Sequence, residues 1–343
     1  MSVGFVYDPI FLEHETGAHP ESPDRMRATM ALLEEAGLIA RMQRIEARDA
    51  TADELALVHD PRYVAELERV AREGGGWADP DTLITPRSFD VAVRVVGGTL
   101  AAVDAVLAGD AGSAFCLVRP PGHHSSARRA MGFCLLNHVA VAAAYARARH
   151  GIERLAIVDF DVHHGNGTQD AFYAEPGVLY ISTHEYPFYP GTGAASETGA
   201  AAGRGYTINI PMPHRSGDAE HRRAFEEVVV PALRRSRPDL MLVSAGFDAH
   251  FADEIAGQML SVDGYGALVS MTKAAADKLC GGRAVIALEG GYHLVALPWC
   301  VRRTIELLLG DEPTPDPLGA RDTPALPRFD ETLSQVKALH GFG

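Results

Sequence analysis

Cysteine is scarce in this sequence, and its few thiols are scattered along the chain. The 343 residues include four cysteines, Cys116, Cys134, Cys280 and Cys300, and no two of them form a C-x-x-C pair. This spacing argues against a zinc finger and against a disulfide-stabilised secreted domain. We therefore expect a reducing compartment, most simply the cytoplasm.

An excess of basic residues and a targeting segment are also lacking. Lysine and arginine together number 31 against 45 acidic residues, which gives a formal net charge of −14. A nucleic-acid partner needs a basic face and is therefore not expected, whereas a cationic substrate is compatible with this charge. The first residues, "MSVGFVYDPIF", do not resemble a signal peptide. No apolar run of roughly 18 residues is apparent, so we expect no membrane span.

The residues that are present predict a large buried core around a sheet. Hydrophobic residues make up 47% of the chain, and several runs are apolar throughout, which is typical of strands buried on both faces of a parallel sheet. Strands are predicted at residues 3–7, 113–118, 154–160, 178–183, 206–211, 240–245 and 284–289. Helices are predicted at residues 23–36, 61–72, 88–108, 137–149, 218–236, 263–279 and 298–309. This alternation predicts an α/β fold with an open, mostly parallel sheet flanked by helices.

The domain prediction is one domain over residues 1–343, because no internal repeat divides the chain. The only shift in composition comes late, where residues 310–329 carry five prolines. We expect this segment to be extended. A terminal helix is predicted at residues 330–340, and it should fold back onto the body of the protein.

Polar clusters follow four of the predicted strands directly. "RPPGHHS" follows the strand at 113–118, "DFDVHHGNG" ends the strand at 154–160, "GFDAH" follows 240–245, and "EGGYH" ends 284–289. In open α/β sheets, ligands bind beyond the carboxyl ends of the strands. Each of these clusters contains groups that bind metals or move protons, so their convergence predicts a single reactive site.

Asp161 and His163 are two residues apart, and an extended strand end would point both side chains the same way. Asp248 in "GFDAH" is the obvious third donor. Two carboxylates and one imidazole form an acceptable set of ligands for zinc or a similar divalent ion, with a position left open. The alternative is that the acids cap backbone amides or pair with arginines.

His123 and His124 lie on a turn that Pro120, Pro121 and Gly122 make rigid. Near a metal site, their natural role is general base and acid, because imidazole titrates near neutral pH. Each would need a partner on its far ring nitrogen, and Asp159 and Asn166 are available. The alternative is a pair of surface histidines.

Tyr292 follows two glycines, which would let its phenol approach a metal site and donate to an oxyanion. Taken alone, a tyrosine packed beside a helix is the simpler interpretation. His164 neighbours the proposed ligand His163 and is assigned a structural hydrogen-bonding role.

The motifs resemble those of the zinc-dependent histone deacetylase superfamily, which includes bacterial deacetylase-like amidohydrolases and acetylpolyamine amidohydrolases. "RPPGHHS", "GFCLLNHVAVAA", "DFDVHHGNGTQ", "ISTHEYPFYPGTG", "SAGFDAH" and "LEGGYH" occur in the family order, between about Tyr7 and Leu309. The resemblance implies the arginase/deacetylase fold. It also implies a metal-dependent hydrolase that cleaves an N-acyl, usually acetyl, amide of an acyl-lysine or small acylated amine.

The same resemblance assigns roles to individual residues. It implies that Asp161, His163 and Asp248 bind one catalytic zinc, that His123 and His124 are the catalytic pair, that Asp159 orients His123, and that Tyr292 donates to the oxyanion. The implied substrate tunnel comprises Gly132, Phe133, Tyr189, Ile255, Gly290 and Gly291. The family also binds one or two structural potassium ions. The inner potassium site would use Asp159, Asp161, His163, Ser182 and Thr183, and the outer site Phe172, Glu175, Val178 and Tyr206.

Three positions bear on activity and substrate. Asn166 stands where some members have aspartate, so His124 lacks an anionic partner and its pKa should be lower. Tyr292 is present, whereas members without it are feeble on acetyl-lysine. Ile255 stands where polyamine-selective members place a glutamate, which favours a singly charged substrate, although Asp79, Asp81 or Glu254 could still meet a cation at the rim.

Several alternatives remain open on the sequence alone. The first is an acetylpolyamine deacetylase of the same superfamily, and a second is a catalytically weak metal-dependent binder of acylated ligands. A ureohydrolase of the related arginase fold would need further Asp-rich metal motifs, and "DFDVHHGNG" is a single one. The native metal (zinc, iron or cobalt), the preferred acyl chain and the oligomeric state are not fixed by the sequence, and an oligomer is possible but not indicated.

Overall fold

An eight-stranded parallel sheet runs through the middle of the protein. The computed structural model describes residues 2–343. The strands are β1 (Val3–Val6), β2 (Gln43–Ile45), β3 (Gly76–Trp77), β4 (Leu83–Ile84), β5 (Ser113–Cys116), β6 (Leu155–Asp159), β7 (Val178–Glu185), β8 (Thr207–Met212), β9 (Leu240–Ala245) and β10 (Ala284–Leu288). The large sheet has the order β2-β1-β5-β10-β9-β6-β7-β8, and β3 pairs with β4 in a separate antiparallel hairpin. Neighbouring strands of the large sheet are parallel, as predicted for this α/β fold.

Helices cover both faces of this sheet. They are α1 (Asp24–Glu35), α2 (Ala52–Leu55), α3 (Pro61–Arg72), α4 (Ser88–Ala108), α5 (His138–His150), α6 (Asn166–Phe172), α7 (Asp218–Ala224), α8 (Val230–Ser236), α9 (Val262–Cys280), α10 (Ala296–Leu309) and α11 (Pro327–His340). Two hydrophobic cores result, one on each face. Along β5, Phe115 joins one core while Ala114 and Cys116 join the other. Burial on both faces explains why these strands are apolar throughout rather than alternating.

Helix α4 requires a correction to the expectation that no segment is long and apolar enough to cross a membrane. By length and composition this 21-residue helix would suffice, and 61% of its most apolar window is buried inside the protein. It packs against α5 and against strands β1, β5 and β10. Its apolar composition is therefore accounted for by its place in the core.

The elements that the sequence did not predict are short. Strand β2 is three residues long with two of them exposed, and β3 and β4 are two residues each. Helix α2 spans four residues and α6 seven. Elements this short contain too few residues to display a hydrophobic period.

Two predicted helices are also corrected, one in its middle and one at its start. The predicted helix at 218–236 is interrupted by a wider π-helical turn at Phe225–Val229, because Pro231 has no N–H to continue the regular pattern. The terminal helix begins at Pro327 rather than at residue 330, since proline is well suited to a first helical turn. The preceding segment is held to the body, where Arg303 Nη2 donates to the Thr314 carbonyl at 2.7 Å.

Candidate active site

The chemically active side chains converge at the carboxyl ends of four adjacent strands. Strands β5, β10, β9 and β6 are neighbours in the middle of the sheet. The loop after β5 carries His123 and His124, and the loops after β6, β9 and β10 carry Asp161, Asp248 and Tyr292. Residues far apart in sequence therefore meet because their strands are side by side.

Asp161, His163 and Asp248 form a buried cluster with metal-ligand geometry. The His163 Nδ1 atom lies 3.2 Å from Asp161 Oδ1 and 3.3 Å from Asp248 Oδ2, and the three ligand atoms lie within 4.8 Å of one another. Strand β6 ends at Asp159, so Asp161 and His163 lie in a bend after the strand and not in the extended segment that we predicted. The bend nevertheless directs both side chains to one point.

The two carboxylates are fixed by backbone N–H groups, and one oxygen is left without a partner. Asp161 Oδ2 accepts from Gly290 N at 2.8 Å, and Asp248 Oδ1 accepts from Val162 N at 2.9 Å. Asp248 Oδ2 is buried and accepts no well-aligned hydrogen bond, its nearest polar neighbour being His163 Nδ1 at 3.3 Å. A buried carboxylate oxygen without a donor is costly unless a cation binds it.

Gly290 allows the backbone to approach these carboxylates. A Cβ atom at this position would lie 2.1 Å from Asp248 Oδ2 and 2.6 Å from Asp161 Oδ2. Any side chain there would fill the space between the two acids. The glycine is therefore required by the close approach of the "EGGYH" turn to the cluster.

The charges of the site favour a bound cation. Burial, together with the neighbouring Asp161 carboxylate, raises the pKa of Asp248 to about 7. Burial also raises the pKa of Asp159 to about 6, although the nearby His123 opposes this shift. These acids are buried against their electrostatic preference, and a divalent cation would compensate their charge.

His123 and His124 have different partners and different protonation. His123 Nδ1 lies 3.1 Å from Asp159 Oδ2, while His124 Nδ1 lies 2.9 Å from Asn166 Oδ1. Burial lowers the pKa of His123, but the Asp161 and Asp159 carboxylates outweigh burial and raise it to about 10. Burial, reinforced by the neighbouring histidines, moves the pKa of His124 well below its ordinary value. These opposite shifts favour the charged form of His123 and the neutral form of His124 near pH 7.

Tyr292 keeps its proton in this environment. Burial raises the pKa of its phenol well above the ordinary value, although the nearby Arg25 guanidinium acts in the opposite direction. The Arg25 guanidinium carbon lies 4.8 Å from the centre of the Tyr292 ring, and the Phe133 ring packs edge-on at 5.6 Å. The phenol is thus held as an O–H donor rather than a phenolate.

A cavity of about 210 Å³ opens onto these groups. Its lining comprises four phenylalanine or tyrosine rings, two histidines, one acid, one glycine and one isoleucine. The lining residues are Asp81, His124, Gly132, Phe133, His163, Phe188, Tyr189, Ile255 and Tyr292. A cavity of this volume has room for a small group whose polar end faces His124, His163 and Tyr292.

Comparison with known proteins gives the family. Residues 19–308 match the histone deacetylase domain model. The histone deacetylase-like amidohydrolase of Pseudomonas aeruginosa is 42% identical over 293 residues, which cover 85% of this chain and 77% of that protein. A probable deacetylase of Archaeoglobus fulgidus is 37% identical over 353 residues, covering 99% and 98% of the two chains. The crystal structure of the HDA15 HD domain superposes with a TM-score of 0.90 at 37% identity, covering 99% of this chain and 94% of that one.

The chain belongs to the histone deacetylase family. Its relatives are named deacetylases and amidohydrolases, and the predictions of the superfamily, of the fold and of a deacetylase or amidohydrolase enzyme are confirmed.

Four of the six residues predicted to line a substrate tunnel also line the observed cavity. Gly132, Phe133, Tyr189 and Ile255 line it. Gly290 and Gly291 do not line it, and Gly290 instead approaches the Asp161 and Asp248 carboxylates.

Two further residues line the cavity. Phe188 was not predicted, and its ring stacks on His163 with centroids 5.6 Å apart. Its position directly before Tyr189 in "YPFYPG" was the available signal. Asp81, considered in the sequence for the rim, lines the cavity, whereas Asp79 and Glu254 do not.

The residues assigned to potassium lie in two groups along β7. Ser182 is in register with Asp159, next to Thr183, whose buried hydroxyl has no hydrogen-bond partner. The other group lies near the start of β7 and comprises Phe172, Glu175, Val178 and Tyr206. Ser182 and Thr183 thus lie beside the candidate active site, whereas Val178 is at the opposite end of the strand.

Three supporting residues were not identified from the sequence. Glu289 Oε2 accepts from the backbone of Gly122 at 2.6 Å and of His123 at 3.2 Å, which fixes the histidine loop. Asp253 and Arg25 hold the backbone around Tyr292. His164, in contrast, has the structural contacts that we assigned to it, with Thr192 at 2.7 Å and Gln169 at 3.1 Å.

Proposed function

We propose that this protein hydrolyses an N-acyl amide, most simply an acetyl amide, on a lysine-like or other small amine. The observation that carries the proposal is the convergence of a three-residue ligand cluster, a histidine pair and a tyrosine on one cavity. A low pKa of His124 and a high pKa of the Tyr292 phenol support the roles of base and hydrogen-bond donor.

Asp161, His163 and Asp248 are proposed to hold one zinc ion. The three buried ligand atoms within 4.8 Å of one another, and an Asp248 Oδ2 atom without a well-aligned hydrogen bond, support this assignment. Two carboxylates and an imidazole also suit iron or cobalt, so the ligand set does not select strongly among the three metals. When bound, such an ion acts as a Lewis acid toward the amide carbonyl and makes water more acidic.

His124 is proposed as the general base and acid. Its Nδ1–H donates to Asn166 Oδ1, which leaves the lone pair of Nε2 available, and its neutral state suits proton removal from water. After water has added to the carbonyl carbon, the C–N bond breaks and His124 returns the proton to the departing amine nitrogen. The products are a carboxylate and a free amine.

His123 and Tyr292 are proposed to stabilise the charge that develops during the reaction. His123 remains cationic through its pairing with Asp159, and it acts electrostatically. The Tyr292 phenol donates a hydrogen bond to the carbonyl oxygen as that oxygen becomes negative. Both groups act without changing protonation, so they need no reorganisation during the step.

Potassium is proposed at the two groups along β7. Oxygen donors close to buried acids favour a hard monovalent cation, and the unpartnered Thr183 hydroxyl is consistent with the inner site. If potassium stabilises the fold there, the melting temperature should be higher in potassium chloride than in the same concentration of tetramethylammonium chloride. Equal melting temperatures would contradict the assignment.

The substrate is proposed to be an acyl-lysine or another singly charged amide. Ile255 presents an apolar wall, and Phe133 and Tyr189 suit a methylene chain. The alternative is an acetylpolyamine, and one observation favours it: the carboxylate of Asp81 lines the same cavity and could pair with a second ammonium group.

A kinetic panel tests the proposal. The zinc-loaded protein is assayed on acetyl-lysine peptides, on acetylated polyamines and on longer acyl-lysines, with Ile255→Glu as a comparison variant. We expect acetyl-lysine to have the highest kcat/KM, and Ile255→Glu to shift the preference toward polyamines. A preference of the wild type for polyamines would overturn the use of Ile255. Tight binding of acylated ligands without turnover would instead support a metal-dependent binder.

A further inference from the structure

Asp253 lies outside the groups used in the proposed reaction but contacts the loop that carries Tyr292. Its side chain is buried, with 6% of the residue exposed. The Oδ2 atom accepts from Tyr292 N at 2.6 Å and from His293 N at 3.0 Å. The other oxygen accepts from Ile255 N at 3.3 Å. One carboxylate therefore joins the tyrosine loop to the wall of the cavity.

The tyrosine loop needs such an anchor. Tyr292 follows Gly290 and Gly291, and Gly291 has a φ of 112°, a conformation that glycine adopts at little cost. Regular helix begins only at Ala296. Between the glycines and the helix, the position of the phenol depends on how the backbone of residues 291–293 is held.

The other anchors act on either side of Tyr292. Gly290 N donates to Asp161, and Arg25 Nε donates to the Gly291 carbonyl at 2.6 Å. On the helix side, His293 Nδ1 accepts from Ala296 N at 3.1 Å. The backbone N–H of Tyr292 itself is bound by Asp253.

We propose that Asp253 is a positioning residue for Tyr292, holding the loop so that the phenol O–H points at the developing oxyanion. This inference rests on the proposed function, because it assigns Asp253 a role through Tyr292. The carboxylate has two acceptor oxygens for three N–H donors, whereas asparagine would turn an NH₂ group toward at least one of them. An asparagine oxygen can accept from both Tyr292 N and His293 N only if its NH₂ group faces Ile255 N, and it lacks the negative charge that strengthens these hydrogen bonds. We therefore expect the nearly isosteric Asp253→Asn to loosen the loop without removing a side chain.

A double-mutant cycle tests the role. Purified, zinc-loaded wild type, Asp253→Asn, Tyr292→Phe and the double variant are compared on an acetyl-lysine peptide. We expect Asp253→Asn to lower kcat and kcat/KM together by roughly tenfold or more, with zinc content unchanged. In the Tyr292→Phe background the same change should cost less than about twofold, because the donor is already absent. Independent effects that multiply in the double variant would overturn the proposal.

Hydrogen exchange provides a readout that does not depend on activity. The peptide covering residues 289–296 should exchange faster in Asp253→Asn than in the wild type. The control is Asp218→Asn: Asp218 also accepts a backbone N–H, from Ser261 at 2.8 Å, but contacts no residue of the candidate active site. Unchanged protection in Asp253→Asn would overturn the proposal.

The two readouts separate the possible failures. If the wild type hydrolyses no acyl amide, the proposed function fails, and the exchange rates still decide whether Asp253 holds the loop. If Asp253→Asn does not fold, the cycle and the exchange measurement are made with Asp253→Glu. That variant keeps the charge but moves the carboxylate by one methylene, and it should show the same non-additivity with Tyr292→Phe.

Discussion

The amino ends of the parallel strands form one edge of the sheet, the amino edge, and their carboxyl ends form the carboxyl edge. Charged residues are exposed at the amino edge and buried at the carboxyl edge. At the amino edge, Arg154 and Asp239 precede β6 and β9 and form an ion pair of 2.7 Å, with side chains that are 56% and 32% exposed. At the carboxyl edge of the same two strands, Asp159, Asp161 and Asp248 are at most 1% exposed. Water solvates the first set, and the protein must compensate the second.

This difference in exposure distinguishes charges that keep the surface soluble from charges that belong to the candidate active site. An exposed ion pair gains little, because water would solvate both partners almost as well. Burying an ionised acid costs free energy unless hydrogen-bond donors or a cation compensate its charge. Buried acids of this kind are therefore typical of functional sites. The comparison predicts large effects of substitution at the carboxyl edge and small ones at the amino edge.

Asp248→Asn should have the largest effect. The amide replaces an anionic oxygen with a weak neutral ligand, so the bound metal should be lost along with activity. We expect metal affinity to fall more than about 100-fold, measured by metal analysis after dialysis against a weak chelator. Full retention of one metal equivalent would remove Asp248 from the ligand set.

Tyr292→Phe should come next. It removes one proposed oxyanion donor and leaves the metal cluster intact, so kcat should fall by about 10²- to 10³-fold with unchanged metal content. Steady-state kinetics on an acetyl-lysine peptide checks this. Near-normal turnover would remove the tyrosine from the mechanism.

Asn166→Asp should have a smaller effect that depends on pH. Burial and the neighbouring histidines hold the pKa of His124 low, and an anionic partner would raise it. A general base is active only when it is unprotonated. If the pKa of His124 is higher, protonation inactivates it at a higher pH. The acidic limb of the kcat/KM profile should therefore move toward higher pH, and a shift toward lower pH would contradict the assignment of His124 as base.

Arg154→Ala should have the smallest effect. Removing this exposed pair should leave the free energy of unfolding almost unchanged and kcat/KM unaltered. Denaturant unfolding and the peptide assay measure the two quantities. A loss of activity in a stably folded variant would break the comparison between the edges.

The sequence predicts the carboxyl edge well, because its signals are local. Buried strands such as β9 are apolar runs, and the polar groups that follow them stand directly at the strand ends. The parallel sheet then brings Asp161 and Asp248 together without further information. Helix α4 was predicted at its observed bounds, since its apolar residues extend over many turns.

The supporting contacts could not be predicted in the same way. Asp253 reaches Tyr292 across 39 positions and Glu289 reaches Gly122 across 167 positions. No local period encodes such pairs, and an acid in a loop has no pattern that distinguishes it from a solvated one. Strand β2 was missed for a related reason, because it lies at the exposed edge of the sheet and is mostly polar.

One titration tests the central claim most directly. The protein is stripped with a chelator, and kcat/KM on an acetyl-lysine peptide is measured as zinc is added back. We expect no measurable hydrolysis without metal and a linear rise to a plateau at one equivalent. Full activity of the stripped protein, or no hydrolysis after one equivalent has bound, would contradict a metal-dependent deacetylase site at the carboxyl edge of this sheet.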